Sequence, residues 1–256
     1  MQDDAILFDV PAEGVALITI NRPESHNALG RDVREGLFAA WDRFSRDDSL
    51  RVAILTGAGQ KAFCAGGDLK EMKALGLAVP PRDMFPLPGD TIEVTKPTIA
   101  AVNGVAYAGG WMLAQACDLC VASTTARFAV TEVKVGRSSP WAAPLIHMIP
   151  QRIMMEIILT GKPIDAQRAY EIGLVNRLAE PEALLDTALA LAREIVDAAP
   201  LSVMAGKETV MLATEMGRSA ALRAARHASE RAYRSADAQE GPRAFVDKRK
   251  PRWTGA

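Results

Sequence analysis

Residues 63–68 read FCAGGD, and residues 108–110 read AGG. Each stretch follows an apolar run rich in β-branched residues, Val52–Thr56 before the first and Thr98–Val102 before the second. Such a run predicts a strand, and the glycines predict a tight turn that opens a helix. Glycine lets the backbone approach a ligand closely, and the first N–H groups of a helix are free, so two such turns can point two donors at one oxygen atom. Converging N–H donors stabilise an oxyanion, which is a catalytic device.

The composition limits the classes of function that are open to this chain. It has 256 residues, 49% of them hydrophobic, enough for one large domain or a domain with a helical appendage. A formal net charge of −1 predicts no nucleic-acid partner, and three cysteines, an odd number, fit a reducing compartment without a disulfide framework. Residues 1–4 read MQDD, an acidic start that does not resemble a signal peptide, and polar residues interrupt the apolar stretch 98–122. We therefore expect a soluble cytoplasmic protein with no membrane span.

The hydrophobic pattern predicts the order of strands and helices. Residues 6–10 and 15–20 predict a hairpin, and apolar residues at helical spacing predict a helix over 31–44. Strands and helices then alternate as in an α/β layer, and the proline- and glycine-rich segment 76–89 is expected to be a loop that shapes a pocket. The pattern after Pro140 is almost entirely helical, with alanine-rich segments at 182–198, 202–216 and 220–235.

Two motifs that are typical of cofactor or metal sites have simpler structural interpretations. Residues 57–62 fit the dinucleotide fingerprint G-x-G-x-x-A, which requires a helix there and an acidic residue about 20 positions later. Residues 62–67 read instead as a second loop, so we reject nicotinamide and flavin binding. The C-x-x-C at residues 117–120 lies in an apolar run without further ligands nearby, which predicts core packing rather than a zinc or redox site.

Several short motifs follow one another in a characteristic order along nearly the whole chain. They are NRP at 21–23, NAL at 27–29, LTG at 55–57, FCAGGDLK at 63–70, NG at 103–104, GG at 109–110, CD at 117–118 and FVDKRKP at 245–251. This order resembles that of the enoyl-CoA hydratase/isomerase (crotonase) superfamily. The resemblance implies an α/β fold, a crotonase-like spiral of β-β-α units with a helical C-terminal extension. It also implies a core with the acyl-CoA site over residues 1–195 and a C-terminal helical oligomerisation region over 196–256, assembled as a trimer or a dimer of trimers.

The same resemblance implies the roles of individual residues. The substrate would be an acyl-coenzyme A thioester whose carbonyl oxygen accepts the N–H groups of Gly67 and Gly109, and Glu132 matches the family's catalytic glutamate. Coenzyme A would enter as part of this substrate, so no separate cofactor and no metal are expected. Independently of the resemblance, Asp68 is expected to cap a helix over 69–75. The residues that the resemblance assigns to coenzyme A binding, the last two through a neighbouring subunit's site, are Glu24, His26, Ala28, Ala65, Asp68, Leu69, Phe245 and Lys248.

One departure from the family pattern bears on the reaction. Hydratases of this family use two glutamates, and the position of the second is occupied here by Met112. Water addition has two tasks, activating the water and protonating the α-carbon, which two carboxylates can share. Moving a double bond requires only one carboxylate, which takes a proton from one carbon and returns it to another. The sequence therefore favours isomerase-like chemistry with Glu132 as the single acid and base. The alternatives are an enoyl-CoA hydratase that works with one glutamate, an acyl-CoA-binding protein with weak or no catalysis, and a metal hydrolase, for which the sequence offers no ligand cluster.

Overall fold

The computed structural model describes residues 4–76 and 79–256. The strands are β1 (Ile6–Ala12), β2 (Val15–Ile20), β3 (Val52–Gly57), β4 (Ala62–Cys64), β5 (Thr98–Val102), β6 (Val105–Tyr107), β7 (Leu119–Ser123), β8 (Arg127–Ala129), β9 (Ile164–Asp165) and β10 (Arg177–Ala179). The α-helices are α1 (Arg31–Arg46), α2 (Leu69–Leu75), α3 (Gly109–Ala116), α4 (Gln151–Thr160), α5 (Ala166–Glu171), α6 (Leu184–Val196), α7 (Pro200–Glu215), α8 (Arg218–Arg234) and α9 (Asp237–Val246). Short 3-10 segments include Glu132–Val135 and Pro140–His147.

The strands form two sheets, and the chain passes repeatedly from one sheet to the other. The larger sheet has the order β1-β2-β3-β5-β7-β10, with β1 antiparallel and the other neighbours parallel. The smaller sheet has the order β4-β6-β8-β9, with β4, β6 and β8 parallel and β9 antiparallel. From β3 to β8, successive strands therefore belong alternately to the large and the small sheet, in the pairs β3/β4, β5/β6 and β7/β8. This repetition of strand, strand and helix confirms the spiral of β-β-α units.

The main core lies between the two sheets and helix α1. Trp41 and Phe44 from α1 are fully buried, as the helical spacing predicts, and Trp111 packs edge-on against Phe128 of β8. Helix α6 covers the other face of the large sheet, where Leu191 contributes to a second apolar cluster. The sequence pattern predicts a loop over 62–67, but Ala62–Cys64 is the buried strand β4, because pairing with β6 satisfies its backbone.

The C-terminal half is less uniformly helical than its pattern predicts. Strands β9 and β10 are two and three residues long, so they are too short for a period of two to be visible in the sequence. Helix α9 also follows the three predicted helical segments. Within the predicted loop 76–89, residues 82–84 form a 3-10 turn, and residues 77–78 lie outside the described residues. In the described ranges 4–76 and 79–256, no helix is both long and apolar enough to cross a membrane.

The cysteines are part of the core. Cys64, Cys117 and Cys120 are buried free thiols. Burial raises the pKa of Cys64 and of Cys120 to about 12. The interpretation of the C-x-x-C as core packing is therefore confirmed.

Helices α7, α8 and α9 form the C-terminal extension, and a lysine of α7 links it to the core. The Lys207 Nζ lies 2.8 Å from the Asp118 Oδ2 and donates to the carbonyls of Val94 and Lys96. These helices also expose large apolar side chains, among them Val210, Leu222, Tyr233, Phe245 and Val246. The boundary at 195/196 falls at the end of α6, and the oligomerisation role of residues 196–256 stays a prediction.

Candidate active site

Three parallel strands of the small sheet end at the same edge, and a predicted site residue follows each of them. Gly67 comes three residues after β4, Gly109 two residues after β6, and Glu132 three residues after β8. The register holds these ends together, because Tyr107 pairs with Ala129 and the Ala108 N–H donates to the Ala129 carbonyl at 2.9 Å. The carboxyl edge of parallel strands is the usual place for a ligand site in α/β folds.

The two glycine turns touch each other. Gly66 has a φ of +101°, a conformation that favours glycine, and a Cβ there would lie 3.4 Å from the Gly109 nitrogen. A Cβ on Gly109 would lie 3.6 Å from the Gly67 nitrogen, so the two amide groups are near neighbours. The Gly109 N–H belongs to the first turn of α3, where amides have no partner within the helix. The structure thus brings Gly67 and Gly109 together.

Two local features bring the start of α3 against the end of β4. A Cβ on Gly110 would lie 1.9 Å from the carbonyl oxygen of Cys64, so only glycine fits there. Ala108, just before the helix, has φ 49° and ψ −117°, a conformation that is strained for a residue with a side chain. The backbone is therefore bent sharply where the Gly109 amide begins the helix.

Glu132 lies in the 3-10 turn after β8 and is half-buried. Burial raises the pKa of its carboxyl group, and this rise is opposed by hydrogen bonds from the backbone and from Trp141. The Trp141 Nε1 donates to the Glu132 Oε1 at 2.8 Å. The Glu132 Oε2 is buried and has no hydrogen-bond partner within the described part of the chain. A half-buried carboxyl group with a raised pKa is suited to accept and return a proton.

Met112 lies one turn after Gly109 on α3 and is almost fully buried. Its amide donates to the Ala108 carbonyl at 3.0 Å, so this part of the helix is regular. The position at which the sequence resemblance predicts a second carboxylate in hydratases is therefore a buried thioether in this chain.

The residues assigned to coenzyme A from the first third of the chain also come together. The Ala65 amide donates to the His26 carbonyl at 3.0 Å, and the Leu29 amide donates to the Gly66 carbonyl at 2.8 Å. The segment with Glu24, His26 and Ala28 therefore runs beside the segment with Ala65, Asp68 and Leu69. Their contact with coenzyme A stays a prediction.

The capping role of Asp68 is confirmed by the geometry of α2. Its carboxylate accepts from the amides of Lys70 and Glu71 at 2.9 and 3.1 Å. Helix α2 begins at Leu69 and ends at Leu75, as the sequence predicted.

Phe245 and Lys248 lie apart from these segments within the chain. Phe245 is 86% exposed near the end of α9, which packs against α8, and Lys248 follows that helix with a φ of 52°. The structure therefore does not bring this pair together with the residues around Gly67, and their predicted action in a neighbouring subunit is not tested by one chain.

A narrow pocket opens beside Gly67. Its enclosed volume is about 20 Å³, room for about one water molecule. The side chains that line it include Leu29, Arg34, Met72, Met84, Phe85 and Arg137. Arg34 is paired with Glu71 through two hydrogen bonds of 3.1 and 2.7 Å, which fixes one wall of the pocket.

Two residues of this region were missed as functional candidates from the sequence. Asn27 is fully buried; its side chain accepts from the Arg22 amide and donates to the carbonyls of Ala58 and Ala62. Its place in the NAL motif was the available signal. For Trp141 the sequence contains no such signal, because a separation of nine positions from Glu132 does not by itself predict a contact.

The alternating two-sheet fold and the two adjacent glycine amides define the crotonase class of proteins. The chain belongs to the enoyl-CoA hydratase/isomerase family, whose sequence profile matches residues 11–256. It is similar to (E)-benzylidenesuccinyl-CoA hydratase of Thauera aromatica, with 40% identity over 94% of this chain and 96% of that protein. It is also similar to carnitinyl-CoA dehydratase of Salmonella arizonae, with 41% identity over 93% of this chain and 94% of that protein. Among solved structures, enoyl-CoA hydratase from Mycobacterium tuberculosis matches with a TM-score of 0.91 and 40% identity, covering 99% of this chain and all of that one. The protein is thus an acyl-CoA enzyme of this family.

Proposed function

We propose that this protein adds water to an enoyl-CoA thioester and removes it in reverse, with Glu132 as the single acid–base carboxylate. The proposal rests on one observation, the position of Gly67, Gly109 and Glu132 at one edge of the small sheet. The choice of water chemistry is supported by two relatives of about 40% identity, one named a hydratase and the other a dehydratase.

In this proposal the two glycine amides act on the thioester carbonyl. Its oxygen accepts the N–H groups of Gly67 and Gly109, and these bonds strengthen as negative charge moves onto the oxygen. Preorganised donors of this kind contribute about 10²–10³ each to the rate. An enolate then forms without a metal or a further cofactor.

One carboxylate can carry the proton through both halves of the reaction. In dehydration, Glu132 removes the proton from the α-carbon of a 3-hydroxyacyl thioester, and the enolate expels the β-hydroxyl group. The carboxyl group returns the same proton to that leaving oxygen, so water departs and the carboxylate is restored. Hydration is the reverse sequence. A raised pKa, as burial produces at Glu132, makes the carboxyl group a better match for both steps near neutral pH.

A second candidate is the double-bond shift that the sequence favours. The observation behind it is Met112, a buried thioether one turn after Gly109, which neither moves a proton nor holds a water molecule well. In this reaction Glu132 would take a proton from one carbon and return it to another, with no water consumed.

The test is a panel of trans-2- and trans-3-enoyl-CoA esters with small, aryl-bearing and polar acyl groups, with products separated by mass and by double-bond position. We expect the trans-2 esters to give products heavier by one water, and a loss of about 10²–10⁴ in kcat for Glu132→Gln. Thermal unfolding of the variant checks that it is folded. The control is Glu13→Gln, which changes an exposed carboxylate in the β1–β2 turn and should leave turnover unchanged.

Three other results of these experiments would each contradict part of the proposed function. A product of unchanged mass with a displaced double bond would replace hydration by isomerisation. Binding of the esters without turnover would favour an acyl-CoA-binding protein. Full activity of a folded Glu132→Gln variant would remove this glutamate from the mechanism.

A further inference from the structure

The carboxylate of Glu132 has two oxygens in different surroundings. Oε1 accepts the indole N–H of Trp141 at 2.8 Å, whereas Oε2 is buried and has no partner among the described residues. An indole nitrogen is only a donor, so it can bind a carboxylate oxygen or the carbonyl oxygen of a protonated carboxyl group. The bond to Oε1 can therefore persist while a proton enters and leaves Oε2.

Trp141 is itself held in place by a contact from helix α3, which begins at one of the two glycine turns. Its carbonyl oxygen accepts a hydrogen bond from the Gln115 side chain, and Gln115 belongs to α3, the helix that begins at Gly109. The 3-10 segment of Trp141 is anchored by Ala142 and Leu145, which are buried in the core. A chain of contacts thus links the helix of one glycine amide to Oε1 of the carboxylate.

We propose that Trp141 is the positioning residue of Glu132, fixing Oε1 so that Oε2 is the oxygen that transfers the proton. This inference rests on the proposed function, in which Glu132 is the acid and base. A carboxylate held by one oxygen keeps the other at a constant angle to the substrate, and such orientation contributes strongly to rate. Trp141 touches Glu132 and acts through it.

Within the described part of the chain, the side-chain hydrogen bond recorded to the Glu132 carboxylate comes from the Trp141 indole. Lys134 and Arg137 on the same turn, and Arg152 and Glu156 on the adjacent helix α4, are exposed to solvent. Helix α3 contains no charged residue between Gly109 and Ala116. A donor to a carboxylate favours the ionised form, so removing the indole N–H should raise the pKa of Glu132 further.

The experiment compares two tryptophan variants that each lose one indole hydrogen bond. Trp141→Phe removes the bond to Glu132, and Trp253→Phe removes a bond of 2.7 Å to the Asp197 carbonyl on the C-terminal side. We expect Trp141→Phe to lower kcat by about 10–100-fold with little change in KM. We also expect the acidic limb of its kcat/KM profile to move to higher pH, because the base must be ionised to act. Trp253→Phe should leave that limb in place.

A second variant separates the donor from the shape of the ring. Replacing Trp141 by benzothienylalanine keeps the bicyclic ring but has sulfur in place of the N–H, and it should reproduce the shift of the acidic limb. An unchanged profile and kcat in both Trp141 variants, with Glu132→Gln inactive, would overturn this inference and leave the proposed function standing. Full activity of Glu132→Gln would overturn both.

Discussion

At the residue scale, the strained conformation of Ala108 makes a prediction about stability. Its φ of 49° costs energy for a residue with a side chain, about 1–3 kcal/mol, and glycine would remove that cost. Glycine also makes the unfolded chain more flexible, which offsets about 0.4–1 kcal/mol. We expect Ala108→Gly to raise the free energy of unfolding by up to about 2.5 kcal/mol, measured by urea denaturation.

The matched control for Ala108→Gly lies in a regular helix. Ala225 is in the middle of α8, so Ala225→Gly should lower the free energy of unfolding by about 1 kcal/mol. Opposite signs for the two changes identify backbone strain at Ala108. A loss of equal size at both positions would show that Ala108 is not strained.

Individual site residues differed in how far the sequence could predict them. Gly67 and Gly109 were predictable as a pair, because glycine after a strand has a conformational meaning that does not depend on distant contacts. Glu132 required the family resemblance, since an isolated glutamate after a short strand is usually an ordinary surface residue. Trp141 was not predictable, because the contact between its indole and Glu132 depends on how a 3-10 segment folds back onto the turn after β8.

At the element scale, Lys207 holds helix α7 against the ends of β5 and β7. Its ammonium group lies 2.8 Å from Asp118 and is largely buried, as is the carboxylate. Breaking a buried pair by removing one partner costs about 3–5 kcal/mol, and partial exposure reduces that to about 2–4 kcal/mol. We expect Lys207→Met to lose this much stability in urea denaturation.

The control for this ion pair is an exposed one on α1. Arg31 and Glu35 form a pair with most of both side chains in solvent, so Arg31→Gln should change stability by less than about 1 kcal/mol. The double variant Asp118→Asn with Lys207→Met should recover part of the loss, because the unpaired charge is gone. Equal effects of Lys207→Met and Arg31→Gln would contradict a structural role for Lys207.

The elements that the sequence predicted well are those with a periodic pattern of their own. Helix α1 and strands β2, β3 and β5 carry long buried faces, and their bounds differ from the predicted ones by two residues or fewer. The three-residue strands β4 and β6 were missed because they are defined by their mutual pairing rather than by a local pattern. Yet these short strands carry the glycine turns to the site.

At the scale of the whole molecule, the C-terminal extension is predicted to complete a neighbouring coenzyme A site. We expect Lys248→Asn to raise KM for enoyl-CoA esters while kcat stays unchanged, because a remote phosphate contact binds ground and transition states alike. Asparagine is chosen since it tolerates the positive φ of Lys248. The measurement is steady-state kinetics.

Substrates without the nucleotide provide the control for the Lys248 variant. Thioesters of pantetheine lack the phosphates that Lys248 would contact, so their KM should be the same in wild type and Lys248→Asn. An equal rise in KM for both kinds of thioester would show that the substitution disturbs the site generally. No rise for either would place Lys248 away from coenzyme A.

The burial of all three cysteines has a consequence for how this protein can be assayed. Cys64, Cys117 and Cys120 are enclosed in the core, and burial raises the pKa of each thiol, so thiolate is scarce at neutral pH. Reagents that develop colour with free thiols should therefore react hardly at all with the native protein, so any colour formed with an acyl-CoA ester would report hydrolysis of the thioester, a side reaction that the proposed hydration does not include. The rate at which the same reagents label the protein should also report how often the core opens, since the buried thiols can react only when the sheets separate.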